Sequence, residues 1–492
     1  MKKIIISAFS LVLFASCTKD ITSLNIDPKN PTSVPSYSLF TQGQLVLSNT
    51  LTSTNVNLNI FRLIAQQWQE TTYVDESNYD IGVRTIPDNW WNALYSTLIT
   101  QELARSAART DITDAATLKN DTAIIDIQEV LAWYTLTTTY GNVPYSEALQ
   151  PNTITAPKYD DAATIYSALI SRLTADIAAL DETAQAWGNA DLMYGGDVSK
   201  WKKFAASLKL KLGILIADSD PAASEAAVTS ALADGVFESN DDNALLAYQG
   251  STPNTNPVWV DLVQSGRQDF VACTTMLGYL TNNEAAGFWD PRTPYYFTLD
   301  ANDGYSGGDP GAGSSFSSSS WPGGLKRILA NDPADIGSLA QPTFPSDLLD
   351  YSEVNFYLAE AAARGFNVPS SAAEYYDEAI TASIEAWGGT AADATAYLAQ
   401  PAVAYATAAG TWQEKIGNQA YISFYNRGFE AWTEMRRLDF PNVPPPANPT
   451  SEFPVRYTYP VKEENVNQPN YEAASSAIGG DKVETKLWFD TN

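Results

Sequence analysis

Apolar residues return every three or four positions over Tyr37 to Leu51, Asn59 to Thr72, Pro87 to Arg109 and Ala115 to Tyr140, a spacing that predicts four amphipathic helices. Ile124, Ile127, Val130, Leu131, Tyr134 and Leu136 make one continuous stripe in the last of these. A further stripe, Ile165, Leu169, Leu173, Ile177 and Leu180, predicts a helix over Asp160 to Leu180. Trp90 and Trp91 open their helix with Leu94 and Leu98 following, so at least one of the two indoles belongs to the core.

Farther on, the predicted helices come in pairs. Lys200 to Ala217 and Ala222 to Ala233 are joined by Asp218-Ser219-Asp220-Pro221, where the proline suits the first turn of the second helix. Tyr351 to Arg364 pairs with Ala372 to Trp387, and Thr411 to Tyr425 with Arg427 to Arg437. Helical hairpins of this size resemble the tetratricopeptide architecture of about 34 residues per repeat, in which neighbours bury a shared face. Between about 240 and 346 the texture changes to Gly, Ser, Pro and Asn with scattered aromatics, which excludes long helices and predicts a loop-rich insertion. From Pro441 onward, Pro444-Pro445-Pro446 and Val455 to Pro460 predict coil with one short strand.

The N-terminus carries a different signal. Lys2 and Lys3, an apolar run from Ile4 to Phe14, and then Ala15-Ser16-Cys17 follow the order of a secretory leader, with residues 1–16 removed. The run falls short of the ~20 residues a membrane-spanning helix needs. Leu13 to Cys17 has the form of a bacterial lipobox, so Cys17 is the expected site of lipidation and 17–36 an extended tether to a single helical domain over 37–492. With Cys17 lipidated, Cys273 has no partner and no disulfide framework forms.

Net charge is −28, which disfavours nucleic acid and anionic head groups as partners, while 13 Trp and 26 Tyr supply flat faces with polar tips suited to sugars. The absence of histidine removes the commonest general base and transition-metal ligand.

Five segments, the lead-in NIDPKNPTSVP at 25–35, YGNVPYSEAL at 140–149, WKKFAASLKLKLG at 201–213, VNFYLAEAAARG at 354–365 and ISFYNRGFEAWTEMRRLDFP at 422–441, stand in this order before FPVRYTYPVKEENVNQPN at 453–470. Together they resemble the SusD/RagB family of outer-membrane lipoproteins, in its starch-binding-associated branch, over essentially the whole mature chain. The resemblance implies a mainly α-helical fold with four tetratricopeptide-like hairpins as scaffold and long loops as ligand surface. It also implies a surface-exposed binding protein rather than an enzyme, with an oligosaccharide or sometimes a peptide as ligand. The implied partner is a TonB-dependent SusC-type transporter over which it sits as a lid.

Family ligand surfaces draw on loops corresponding here to Tyr73 to Arg84 and Phe288 to Trp321. Within them Tyr73, Asn78, Tyr79, Arg84, Trp289, Tyr295, Tyr296, Tyr305 and Trp321 have the residue types a sugar site uses, aromatic faces and hydrogen-bonding amide or guanidinium groups. No catalytic residue, metal ligand or cofactor is expected, although so acidic a surface leaves room for a structural calcium. Asp300-Ala301-Asn302-Asp303-Gly304 lacks the spacing and terminal glutamate of an EF-hand and reads as a plain turn. Glycoside hydrolysis would need two carboxyls ~5 to ~9.5 Å apart; among 57 Asp and Glu, closeness in sequence says nothing. A lid that binds only protein is the remaining alternative, and it would bury the loop aromatics instead of presenting them.

Overall fold

The computed structural model describes residues 33–150, 153–281, 289–325, 327–329 and 332–491; the leader, Cys17, most of the tether and Phe288 lie outside the described residues. The first third contains α1 (Ser36–Thr52), a single turn α2 (Phe61–Ile64), β1 (Trp68–Glu70), α3 (Ile86–Asp111), α4 (Ala115–Tyr140) and α5 (Ala162–Ala179). Then come α6 (Val198–Leu215) and α7 (Pro221–Asp234). The insertion has two-residue β2 (Leu245–Leu246), β3 (Phe270–Ala272), α8 (Thr274–Leu280), α9 (Thr293–Tyr296), β4 (Arg327–Leu329), β5 (Asp332–Gly337) and β6 (Ser346–Asp347). The last part holds α10 (Tyr351–Arg364), α11 (Ala372–Ala386), α12 (Ala391–Leu398), α13 (Trp412–Ser423), α14 (Gly428–Leu438), α15 (Val461–Val466) and α16 (Gln468–Ala477).

Short polar side chains set the starts of these helices. Asp114, Asp161, Asp197, Asp220 and Asp350 each accept a backbone N–H of the first turn, and Ser371/Glu374 and Thr390/Asp393 are reciprocal capping boxes. The expected pairs are neighbours: α6 packs on α7, α10 on α11 and α13 on α14, joined by α1 on α3 and α4 on α5. Gly213 lets α6 and α7 approach, since a Cβ there would lie 2.9 Å from that of Ala227. From Asn120 to Tyr140 almost every residue of α4 is buried, and both Trp90 and Trp91 are core.

Two expectations are corrected. The helix over Asn59 to Thr72 ends after one turn, because Gln66 takes a left-handed φ of 51° and Trp68–Glu70 extends to pair antiparallel with β3. A fully buried strand and a buried helical turn share the same apolar run, and the strand's partner lies in the insertion. The C-terminal stretch, read as coil and strand, instead forms α15 and α16 and no strand among the described residues; Pro460 and Pro469 sit at helix starts, where a missing N–H costs nothing.

Charge is buried between the hairpins. Lys211 of α6 lies 2.9 Å from Glu353 of α10 and 2.5 Å from Glu430 of α14, while Tyr134 of α4 donates to Glu430 at 3.0 Å. Arg427 bridges Asp350 and Glu353, and Arg437 bridges Glu360 and Glu434. Elsewhere burial lifts acids: Glu70, with Glu76 beside it, and Asp176, beside Asp126, to about 9, and Asp121 and Glu129 to about 7. Because the folded-state values are raised, the native chain holds protons that the unfolded chain, with carboxyls near ~4, has lost. Stability therefore falls as pH rises, by ~1.4 kcal/mol per pH unit for each such proton. Tm is expected to climb as pH is lowered from about 8 to about 5.5, helped by relief of the −28 net charge; thermal unfolding across that range checks it, and a lower Tm at the acid end contradicts it.

Candidate functional site

The β1–β3 pairing, with Trp68 opposite Ala272 and Glu70 opposite Phe270, brings the insertion against the N-terminal segment. Directly after β1 the chain turns through Tyr73 (φ 57°), a 3-10 turn at Glu76–Asn78 and Tyr79 (φ 66°). Non-glycine residues held at positive φ cost free energy and persist where surrounding contacts enforce them. Asn78 supplies those contacts. Its Nδ2 donates to the carbonyls of Val74 and Gly311 at 2.8 Å, and its Oδ1 accepts from the Asn448 N–H at 2.8 Å. Thr450 N donates to the Asn78 carbonyl at 2.9 Å, and Ala447 N to that of Pro310 at 2.8 Å. One amide thus ties together the 73–84 loop, the 307–313 loop and the segment after α14. Gly311 is required at this knot, since a Cβ would fall 2.2 Å from Asn78 Oδ1.

The segment from Pro441 to Phe453 wraps a cleft of about 590 Å³, within the range of small-ligand sites. Its apolar wall is Tyr79, Phe453, Val443, Pro441, Pro444 and Pro445, with Phe453 edge-on to Tyr79 at 5.9 Å and 88°. Asn442, Thr450 and Ser451 supply polar groups, and Asp439 and Glu452 the only charges among the described lining residues. Gln66 braces the floor, donating from Nε2 to the Tyr79 hydroxyl at 2.9 Å and to the Pro444 carbonyl at 2.6 Å while its Oε1 accepts from Thr275 at 2.6 Å. Burial pushes the Tyr79 phenol up to about 12, so it keeps its proton and can donate to a ligand oxygen.

The expected site residues divide. Tyr79 lines the cleft, and Tyr73 stands 75% exposed on the same loop. Asn78 is only 5% exposed with its amide spent inside the protein, so it positions loops instead of meeting a ligand. Arg84 pairs with the buried Glu76. Tyr296 is a core residue with 0% exposure, its hydroxyl donating to Ile422 O at 2.9 Å and its ring stacked on Tyr425 at 4.0 Å. Tyr295 is half-buried and donates to Gly388 O at 2.6 Å. Trp289 and Tyr305, both half-buried, meet at 5.0 Å and 55°, and half-buried Trp321 stacks on Phe316 at 5.8 Å and 29°. Neither of these two ring pairs, both on the insertion, belongs to the cleft lining. Sequence reasoning did not include the Pro441–Phe453 wall; the signal for it was the density of proline, whose fixed φ makes a rigid surface without regular hydrogen bonding.

The Asp300–Gly304 run is a turn, with Asp300 Oδ1 accepting the N–H groups of Asn302 and Gly304 at 2.8 and 3.0 Å. Among the described residues no group of three or more Asp, Glu or Cys side chains is arranged to hold a metal ion.

No curated protein matches the chain significantly. Solved structures do. A chitin-binding protein is 27% identical, with 93% of this chain and 100% of that one covered at a TM-score of 0.77. A SusD homolog from Bacteroides uniformis is 25% identical over 92% and 99%, with a TM-score of 0.73. A chitin-binding SusD homolog from Flavobacterium johnsoniae, 21% identical over 92% and 99% with a TM-score of 0.73, shares the fold. A family model described as SusD-like, starch-binding and associating with the outer membrane matches residues 28–460, and the chain belongs to that SusD-like family.

Proposed function

We propose that this protein is a surface-exposed lipoprotein, anchored in the outer membrane through Cys17, that captures an oligosaccharide and passes it to a TonB-dependent SusC-type transporter. The observation that carries the ligand reading is the cleft: prolines and two aromatic rings make one wall, neutral hydrogen-bonding groups line another, and a protonated Tyr79 hydroxyl is held ready to donate. Because Asp439 and Glu452 are its only charges, the cleft favours neutral sugars over uronates and sulfated chains. The relative at 27% identity is named as chitin-binding, which supports an N-acetylhexosamine polymer as the first ligand to try.

Affinity electrophoresis of the soluble protein beginning at Thr18 tests this against glycol chitin, starch, polygalacturonate and heparin, together with Trp289→Ala and Trp321→Ala. A neutral polysaccharide is expected to retard the protein and the two acidic ones are not. Relief of retardation by a tryptophan variant adds that tryptophan's ring pair on the insertion to the site. Retardation by none of the four moves a peptide ligand ahead.

A further inference from the structure

Trp91, Tyr95, Ile99, Leu103 and Ala107 stand four apart on α3 and so form one ridge along the helix, which Asp111 continues. The ridge is left partly uncovered: Tyr95 and Ala107 are half-buried, and Ile99 and Leu103 are 42% and 53% exposed. At one end it opens on a groove of about 190 Å³ that Trp91, Tyr95 and Ile99 line together with Leu149, Ile154 and Pro157. At the other end Asp111 Oδ2 accepts the N–H of Ser36 at 2.7 Å, so the chain enters α1 where the ridge stops.

We propose that the tether segment 24–31, which precedes α1 in the chain, runs back along this ridge and seats Leu24 and Ile26 in the groove. The lengths agree. A helix rises ~1.5 Å per residue, so Tyr95 and Trp91 lie ~24 and ~30 Å from Asp111. Pro28, Pro31 and Pro35 fix their own φ and restrain the residues before them to extended backbone. At the ~3.1 Å per residue of such a run, the path from Ser36 back to Ile26 spans ~31 Å. Leu24 and Ile26 are two apart, which puts both side chains on one side of an extended segment.

Charge does not oppose this placement. Lys19 and Lys29 balance Asp20 and Asp27, so the tether from Thr18 to Thr32 is neutral beside an acidic body. Glu147 and Glu463 are the only charged groups in the described groove lining, with Lys158 3.8 Å from Glu147, and Lys29 falls at the depth of the groove mouth. Seating Leu24 and Ile26 shortens the free leash between Cys17 and the body to residues 18–23, which limits how far a lipid-anchored domain lifts and tilts away from its bilayer. The docking itself rests on neither the lipid nor the glycan reading.

Limited proteolysis of the soluble chain beginning at Thr18 tests it, because trypsin cuts after Lys19, in the part left free, and after Lys29, in the part that docks. Wild type is compared with a tether pair, Leu24→Ser with Ile26→Ser, and a ridge pair, Ile99→Ser with Leu103→Ser, both at exposed positions. A docked bond is cut only while it is undocked, so cleavage after Lys29, read by intact mass, is expected to be about tenfold slower in wild type than in either pair. Cleavage after Lys19 is expected to be the same in all three. Equal rates after Lys29 in the three chains overturn the proposal. So does acceleration by the tether pair alone, which seats the segment elsewhere. A wild type that elutes as a dimer, dissociated by the ridge pair with the Lys29 rate unchanged, gives the ridge to a second copy and likewise overturns it.

Discussion

Replacing Arg292 by methionine is expected to lower the free energy of unfolding by about 3–5 kcal/mol, the cost of leaving a buried carboxylate without its partner. Asp290 and Arg292 are both fully buried, with Arg292 Nε and Nη2 donating to the two oxygens of Asp290 at 2.9 and 2.6 Å. The same guanidinium donates from Nη1 to Ser383 Oγ of α11 and Ser423 Oγ of α13, each at 2.9 Å. It therefore fastens the start of α9, and the Trp289–Tyr305 pair beside it, to two scaffold helices. Changing Asp290→Leu together with Arg292→Met should recover much of the loss, because an apolar pair of similar volume escapes the desolvation penalty. Denaturant unfolding of the wild type and both variants checks this; a loss below ~1 kcal/mol for Arg292→Met would show that the pair is not the anchor described.

What the sequence discloses of the fold is what local chemistry decides. Period-three-and-four spacing with Asp, Ser or Thr at helix starts places the long helices to within a few residues, and the Gly-, Ser- and Pro-rich texture places the insertion. Non-local contacts decide the rest. Nothing near Trp68 says that its strand partner will be Ala272, and nothing near Asn78 says that its amide will be used by Gly311 and Asn448. Lys209 and Lys211 sit in a leucine-rich stripe yet are buried, because Asp234 and the Glu353–Glu430 pair meet them from other helices. Among the expected ligand residues Tyr79 lines the cleft while the ring of Tyr296 stacks in the core, a difference that residue type alone does not disclose. The rest of the cleft lining came from a proline-rich segment whose conformation carries no helical or strand periodicity to read.

The second large effect is on binding. Tyr79→Phe removes the donated hydroxyl while keeping the buried ring, and Phe453→Ala removes the half-buried ring that meets it edge-on. Loss of one hydrogen bond at ~1 kcal/mol and of an aromatic contact at ~0.5–1.5 kcal/mol beyond area burial predicts about tenfold weaker binding for the pair. The decisive measurement is isothermal titration of the soluble chain, starting at Thr18, with chitohexaose, alongside the Tyr79→Phe/Phe453→Ala variant whose Tm has first been matched to wild type. Saturable binding by the wild type that weakens about tenfold in the variant is the predicted result; equal affinity in the two proteins would contradict the placement of the ligand in this cleft.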